Sequence, residues 1–87
     1  MRTIDRSTAF KRDFKKHGEI DAALIEVLYK LISDEDLPEK YRDHSLSGDW
    51  SGYRECHVKP DLLLIYKKPD EETLRLARLG SHSELFG

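Results

Sequence analysis

The apolar residues change period partway along this chain, and that change limits what it can fold into. From Ile20 through Leu24, Val27, Leu28, Leu31 and Ile32 they follow the 3.6-residue spacing of a helix with one buried stripe. This predicts a helix over residues 19–34, with acids in its first turn and Pro38 beyond its end. After residue 52 the pattern shortens into three strand-like segments, Gly52 to Val58, Leu62 to Lys68 and Thr73 to Leu79. Lys59-Pro60 and Pro69-Asp70-Glu71-Glu72 supply the turns between them. The middle segment, Leu62-Leu63-Leu64-Ile65-Tyr66, is apolar on both faces, as a central strand covered on both sides requires. Residues 2–6 read as a first strand. Ser7 caps a first helix that places Phe10 and Phe14 four apart on one face, and His17-Gly18 closes it. Ser81 followed by Glu84 is a capping box for a short helical turn that returns Leu85 and Phe86 to the sheet. The expected architecture is one α+β domain over residues 1–87: an N-terminal strand, two helices packed on a mainly antiparallel sheet, and a short C-terminal helical turn.

A chain of 87 residues with 38% hydrophobic content supports one modest core. Met1 is followed by Arg2-Thr3-Ile4-Asp5 with no apolar signal region, and no segment reaches the roughly 20 apolar residues that span a bilayer. The lone Cys56 allows neither an internal disulfide nor a cysteine-built zinc site, and it reads as a small packed strand residue. These features lead us to expect a cytoplasmic protein without a membrane partner. The formal net charge is −2 but unevenly spread. Residues 1–17 carry six basic side chains against two acids, and residues 19–39 carry one lysine against seven acids. A chain binding nucleic acid mainly by neutralising phosphates would be more basic, so any RNA contact falls to a local patch or to another body that holds the RNA.

Three of the four histidines, His44, His57 and His82, fall in the strand-rich half with Asp61 and Arg78. Histidine titrates near neutrality and arginine presents a permanently charged planar fork, so the set can move protons and steady a phosphate. His57 ends one predicted strand and Asp61 begins the next, which brings the two together across the hairpin end. An aspartate there favours the charged imidazole and fixes its tautomer. His82 follows the capping Ser81 at the positive end of a helical turn, which favours the neutral ring. Arg78 ends the last strand, where it can receive charge building on a phosphoryl group. His17, in the last turn of the first helix, reads as structural. A zinc site from His44, His57, Asp61 and His82 is chemically allowed, but the spacing matches none of the compact zinc signatures. No metal or other cofactor is expected.

The series Asp43-His44-x-Leu46-x-Gly48-x-Trp50-x-Gly52-x-Arg54, His57-Val58-x-Pro60-Asp61, Leu64-Ile65-Tyr66 and Arg78-x-Gly80-x-His82-x-x-Leu85-Phe86 resembles the YafQ toxins. These are a branch of the RelE/ParE superfamily of bacterial toxin–antitoxin systems. The match covers residues 41–87 closely and the amino-terminal hairpin in general plan. The resemblance implies a RelE-like fold and an mRNA endoribonuclease that enters the 30S A site of the ribosome and cuts message. It also implies a cognate antitoxin of the DinJ/RelB kind that masks the toxin. The family's catalytic positions fall on His44, His57, Asp61 and His82, with Arg78 and Phe86 supporting. Arg54 and Lys59 in the histidine-bearing stretch, and Lys11 and Lys15 on the basic first helix, are the candidate RNA contacts. Where an aromatic can follow the motif aspartate, this chain has Leu62. The implied reaction uses the RNA's own 2′-hydroxyl as nucleophile and needs no metal. His82 is the expected proton donor, His57 with Asp61 the base, His44 an assisting group and Arg78 the phosphate stabiliser, with acid and base roles open to exchange. The ribosome would also supply the RNA positioning that the chain's charge does not. Two alternatives stand beside this reading: a ParE-like toxin that inhibits DNA gyrase by binding, and a non-catalytic binding module with structural histidines.

Overall fold

The computed structural model describes all 87 residues. Strand β1 (Thr3–Arg6) leads into helices α1 (Thr8–His17) and α2 (Ala22–Ile32). Strands β2 (His44–Ser45), β3 (Arg54–Lys59), β4 (Leu62–Lys67) and β5 (Thr73–Gly80) follow, and helix α3 (His82–Phe86) closes the chain. Single 3-10 turns lie at Glu39–Tyr41 and Gly48–Trp50. The five strands form one sheet in the order β1-β5-β4-β3-β2. β1 pairs with β5 in parallel and every other pair is antiparallel. The expected α+β architecture holds, with Leu62–Lys67 in the middle of the sheet. The two-residue edge strand β2 is an addition to the expected order.

The helices begin where their caps dictate. The Ser7 hydroxyl accepts the Phe10 N–H at 2.9 Å and donates to the Ala77 carbonyl at 2.7 Å, so one side chain starts α1 and ties it to β5. Asp21 caps α2 by accepting the Leu24 N–H at 3.1 Å. This cap shortens α2 relative to the expected 19–34. Glu19 and Asp21 precede its first turn rather than occupying it, and Ile20, expected on the buried stripe, is 74% exposed. Gly18 follows α1 as anticipated, but its φ of −76° is not the left-handed conformation of a usual glycine stop. Space is what demands glycine there: an added Cβ would lie 2.1 Å from the Phe14 ring. Gly18→Ala should therefore displace Phe14 and cost about 1–3 kcal/mol, read as a lowered melting temperature.

Alternation along the central strands divides the interior in two. Leu64 and Tyr66 of β4, Cys56 and Val58 of β3, and Leu74, Leu76 and Leu79 of β5 pack against Phe10, Leu24, Val27 and Leu31 of the helices. Burial pushes the Cys56 thiol well above its ordinary range, which suits the packed role expected of it. On the opposite face Leu63, Ile65 and Ala77 form a smaller cluster with Leu85 of α3, edged by Leu46, Trp50 and Tyr53. That second face carries His44 and His57, with His82 on α3 at its end. No helix is long and apolar enough to cross a membrane.

Candidate active site

Register explains how the imidazoles meet. His44 of β2 lies opposite Glu55 of β3, which lies opposite Ile65 of β4, which lies opposite Arg78 of β5. In the next row His57 faces Leu63, and Leu63 faces Gly80. Glu55 and His57 alternate with Cys56 and Val58, so both point away from α1 and α2. His57 and Gly80 are two strands apart, about 10 Å across the sheet at the usual spacing. α3 folds back over that end because Gly80 carries no side chain. A Cβ there would meet Glu84 Oε1 at 3.2 Å and Leu85 Cδ2 at 3.4 Å.

The centre of the arrangement is Glu55, which is only 4% exposed. Its Oε1 lies 3.6 Å from His44 Nε2 and 3.5 Å from His57 Nε2. His44 Nδ1 sits 2.8 Å from the Arg42 carbonyl, which can only accept, so Nδ1 carries a proton and Nε2 is the nitrogen turned to Glu55. Two imidazoles flanking one buried carboxylate can share, store and pass a proton. Asp61, expected beside His57, is not its partner. The His57–Lys59 bulge lets Lys59 pair with Leu62, which puts Pro60-Asp61 in the two-residue turn rather than at the start of β4. Asp61 is exposed at the hairpin tip, and the carboxylate within ion-pair reach of His57 is Glu55. A sequence signal for Glu55 was present: Glu55-x-His57 places the two on one face of a strand.

His82 is the first residue of α3 and is exposed. Its ring stands 5.2 Å from that of Phe86, tilted 45°. Ser81 closes the expected capping box with Glu84. Arg78 is partly engaged. Its Nε and Nη2 bond the Asp13 carboxylate at 2.7 and 3.3 Å, which leaves Nη1 without a partner in the chain. Asp13 also accepts the Leu79 N–H at 3.0 Å. Burial pushes the Asp13 carboxyl up, but the Arg78 hydrogen bond, the Leu79 N–H and the Arg78 charge outweigh it and hold the group below its ordinary value. Asp13 raises the affinity of Arg78 for its proton in return. The only signal for Asp13 in the sequence was a lone acid among the basic residues of α1.

The candidate RNA contacts divide into tied and free groups. Arg54 bonds Asp43 at 3.1 and 3.3 Å, and Lys59 sits 2.5 Å from Asp21. Lys11 and Lys15 are exposed on α1 and make no ion pair within the chain. Lys40, Arg42 and Lys59 line a 450 Å³ cleft whose wall includes His57, with Ala23 of α2, Tyr41, Val58 and Pro60 as its less polar surface. No group of three or more His, Cys, Asp or Glu side chains is arranged so that it could hold a metal ion, the His44–Glu55–His57 trio included.

A five-stranded mixed sheet backed by two helices, with imidazoles on its open face and on a terminal helix, is the class of fold that the RelE/ParE resemblance implied. The chain belongs to the YafQ family, bacterial toxins of type II toxin–antitoxin systems, whose model matches residues 2–87. It is 38% identical over 91 residues to the mRNA interferase toxin YafQ of Escherichia coli K12, covering 100% of this chain and 98% of that protein. The metal-bound toxin from Helicobacter pylori superposes with a TM-score of 0.86 at 49% identity, over 99% of this chain and 100% of that one. The toxin in the E. coli DinJ–YafQ complex does so with a TM-score of 0.83 at 40% identity, covering both chains completely.

Proposed function

We propose that this toxin is an mRNA endoribonuclease that cuts message in the ribosomal A site by metal-independent acid–base chemistry and is neutralised by a cognate antitoxin. The single observation that carries the reading is the pair of imidazoles turned onto the buried Glu55 carboxylate. A carboxylate only 4% exposed with an imidazole on either side, on the sheet face that the two main helices leave open, is a geometry suited to taking and returning a proton. The relative named an mRNA interferase supports the activity, and the relative seen with DinJ supports the antitoxin.

In the proposed reaction a base removes the proton of a ribose 2′-hydroxyl. The 2′-oxygen then attacks the adjacent phosphorus, and the bond from phosphorus to the 5′-oxygen breaks, leaving a 2′,3′-cyclic phosphate. A proton delivered to the departing 5′-oxygen completes the cut. His57, backed by Glu55 and with His44 beside it, is the base. His82, on the far side of the open face, is the donor, and Phe86 packs its ring. Arg78 Nη1 takes charge building on the phosphorane. Asp61 at the hairpin tip approaches the RNA from the solvent side. The Lys40–Arg42–Lys59 cleft gives the strand a basic path past His57, and Lys11 and Lys15 on α1 meet ribosomal RNA.

Induction in bacteria followed by mapping of message ends tests the whole reading. In-frame cuts are expected, together with growth arrest relieved by co-expression of the antitoxin reading frame. A DNA-damage response without cuts would instead assign gyrase inhibition, and neither effect would assign a binding module.

A further inference from the structure

α3 is five residues long, too short to hold its shape by backbone bonding alone, yet it carries His82 and Phe86. Leu85 packs it on the sheet, and the Glu84 side chain ties it on the solvent side. Oε1 accepts the Ser81 N–H at 2.9 Å, and the Glu84 N–H returns to the Ser81 hydroxyl at 3.3 Å. Oε2 faces the other way, with Lys16 Nζ at 3.1 Å and His17 Nε2 at 2.8 Å. Lys16 and His17 are the last two residues of α1, where positive charge is favoured by the helix dipole. The Ser81 N–H, then His17 and Lys16, hold the Glu84 carboxyl at about 2, so it remains charged at working pH. α1 is itself pinned to β5 one turn earlier, through Asp13, Arg78 and the Leu79 N–H.

We propose that Glu84 is a positioning residue: it clasps α3 to the end of α1, with Lys16 and His17 as the other half, and so sets where His82 and Phe86 stand over the open sheet face. The proposal rests on the ribonuclease reading for its consequence but not for its geometry. Each side of the clasp can be broken separately. Glutamine at the third helical position still completes a capping box, so Glu84→Gln keeps the helix start and loses the charge, whereas Glu84→Ala loses both. Lys16→Gln with His17→Gln removes the α1 half and leaves the cap untouched.

The experiment measures cleavage of ribosome-bound message, melting temperature, and the imidazole and Phe86 ring resonances by NMR. Because displacement of a catalytic group by about 1 Å can cost 10²-fold, Glu84→Ala is expected to lower kcat by at least tenfold, with KM within about twofold of wild type. Glu84→Gln and the Lys16→Gln/His17→Gln pair should each lose less. Adding the pair to Glu84→Ala should lose nothing further, since both break one contact. The His82 and Phe86 ring signals should broaden in all three variants while the core methyl signals stay sharp. Wild-type kcat in Glu84→Ala, or His82 signals unchanged in every variant, would overturn the clasp. So would a kcat loss matched by a collapse of the melting temperature in all three. If the wild-type protein itself does not cut message, the ribonuclease reading fails, and the ring resonances alone still decide the clasp.

Discussion

His82→Ala should abolish most message cleavage and leave the fold nearly intact. His82 is exposed at the start of α3, and the contact described for its ring is with Phe86. Replacing such a residue changes stability by within about 0.5 kcal/mol in the usual case. A positioned proton donor, by contrast, supplies about 10²–10⁴ in rate, or roughly 3–5 kcal/mol of barrier. Activity and melting temperature should therefore part company. Wild-type cleavage should persist in EDTA when the ribosome is held intact by other means, because every proposed step uses a side chain or the RNA itself. A purified His82→Ala protein that cuts ribosome-bound message at the wild-type rate would remove His82 from the mechanism. Parallel losses of melting temperature and rate would make its role structural.

Glu55→Gln is the second large effect expected, and its sign on stability is the opposite of what a structural acid would give. The glutamine is nearly isosteric but cannot hold the charge that His44 and His57 share. Cleavage should fall by about 10²-fold, as for loss of a general base or its partner. Loss of one partner destabilises a buried pair when it strands the other charge, but His44 and His57 reach solvent and can shed a proton, so the melting temperature should hold or rise as the carboxylate's desolvation cost is removed. His57→Ala should impair cleavage comparably, and the Glu55→Gln/His57→Ala double variant should lose less than the sum of its parts, because the two lie 3.5 Å apart. Asp61→Ala should combine additively with His57→Ala, since no hydrogen bond or ion pair joins them and the carboxylate beside His57 is Glu55. A Glu55→Gln protein that loses stability and activity together would return Glu55 to the core.

The sequence carried the fold well because its signals were local. The heptad-like stripe of α2, the doubly apolar run of β4 and the Ser81–Glu84 box each declare an element without knowledge of its neighbours. The site was legible as a list of residues but not as a set of partners. His57 was paired with Asp61 from nearness in the chain, and one bulged residue in β3 was enough to hand that place to Glu55. Asp13 met Arg78, and His17 met Glu84, across 65 and 67 residues of sequence, a separation at which no periodicity speaks. His17, read as structural, does make a structural contact, but its partner Glu84 lies on the helix that carries the proposed proton donor. The edge strand β2 escaped notice because two residues are too few to show alternation.

The parallel pairing of Thr3 with Thr73 has a consequence in time rather than in space. β1 is the first strand made, yet its only neighbour in the sheet is β5, the last. A growing chain that has reached Lys67 can form the β3–β4 hairpin and both main helices, but β1 then has nothing to pair with. Closure of so distant a contact is entropically slow, which should make joining of the two ends the late step of folding. Arg78, Asp13 and the α3 clasp all depend on that same closure. The His44–Glu55–His57 part of the proposed site can form with β2 and β3 alone, but Arg78 on its Asp13 anchor and His82 on its clasped helix complete it only once the two ends of the chain have come together.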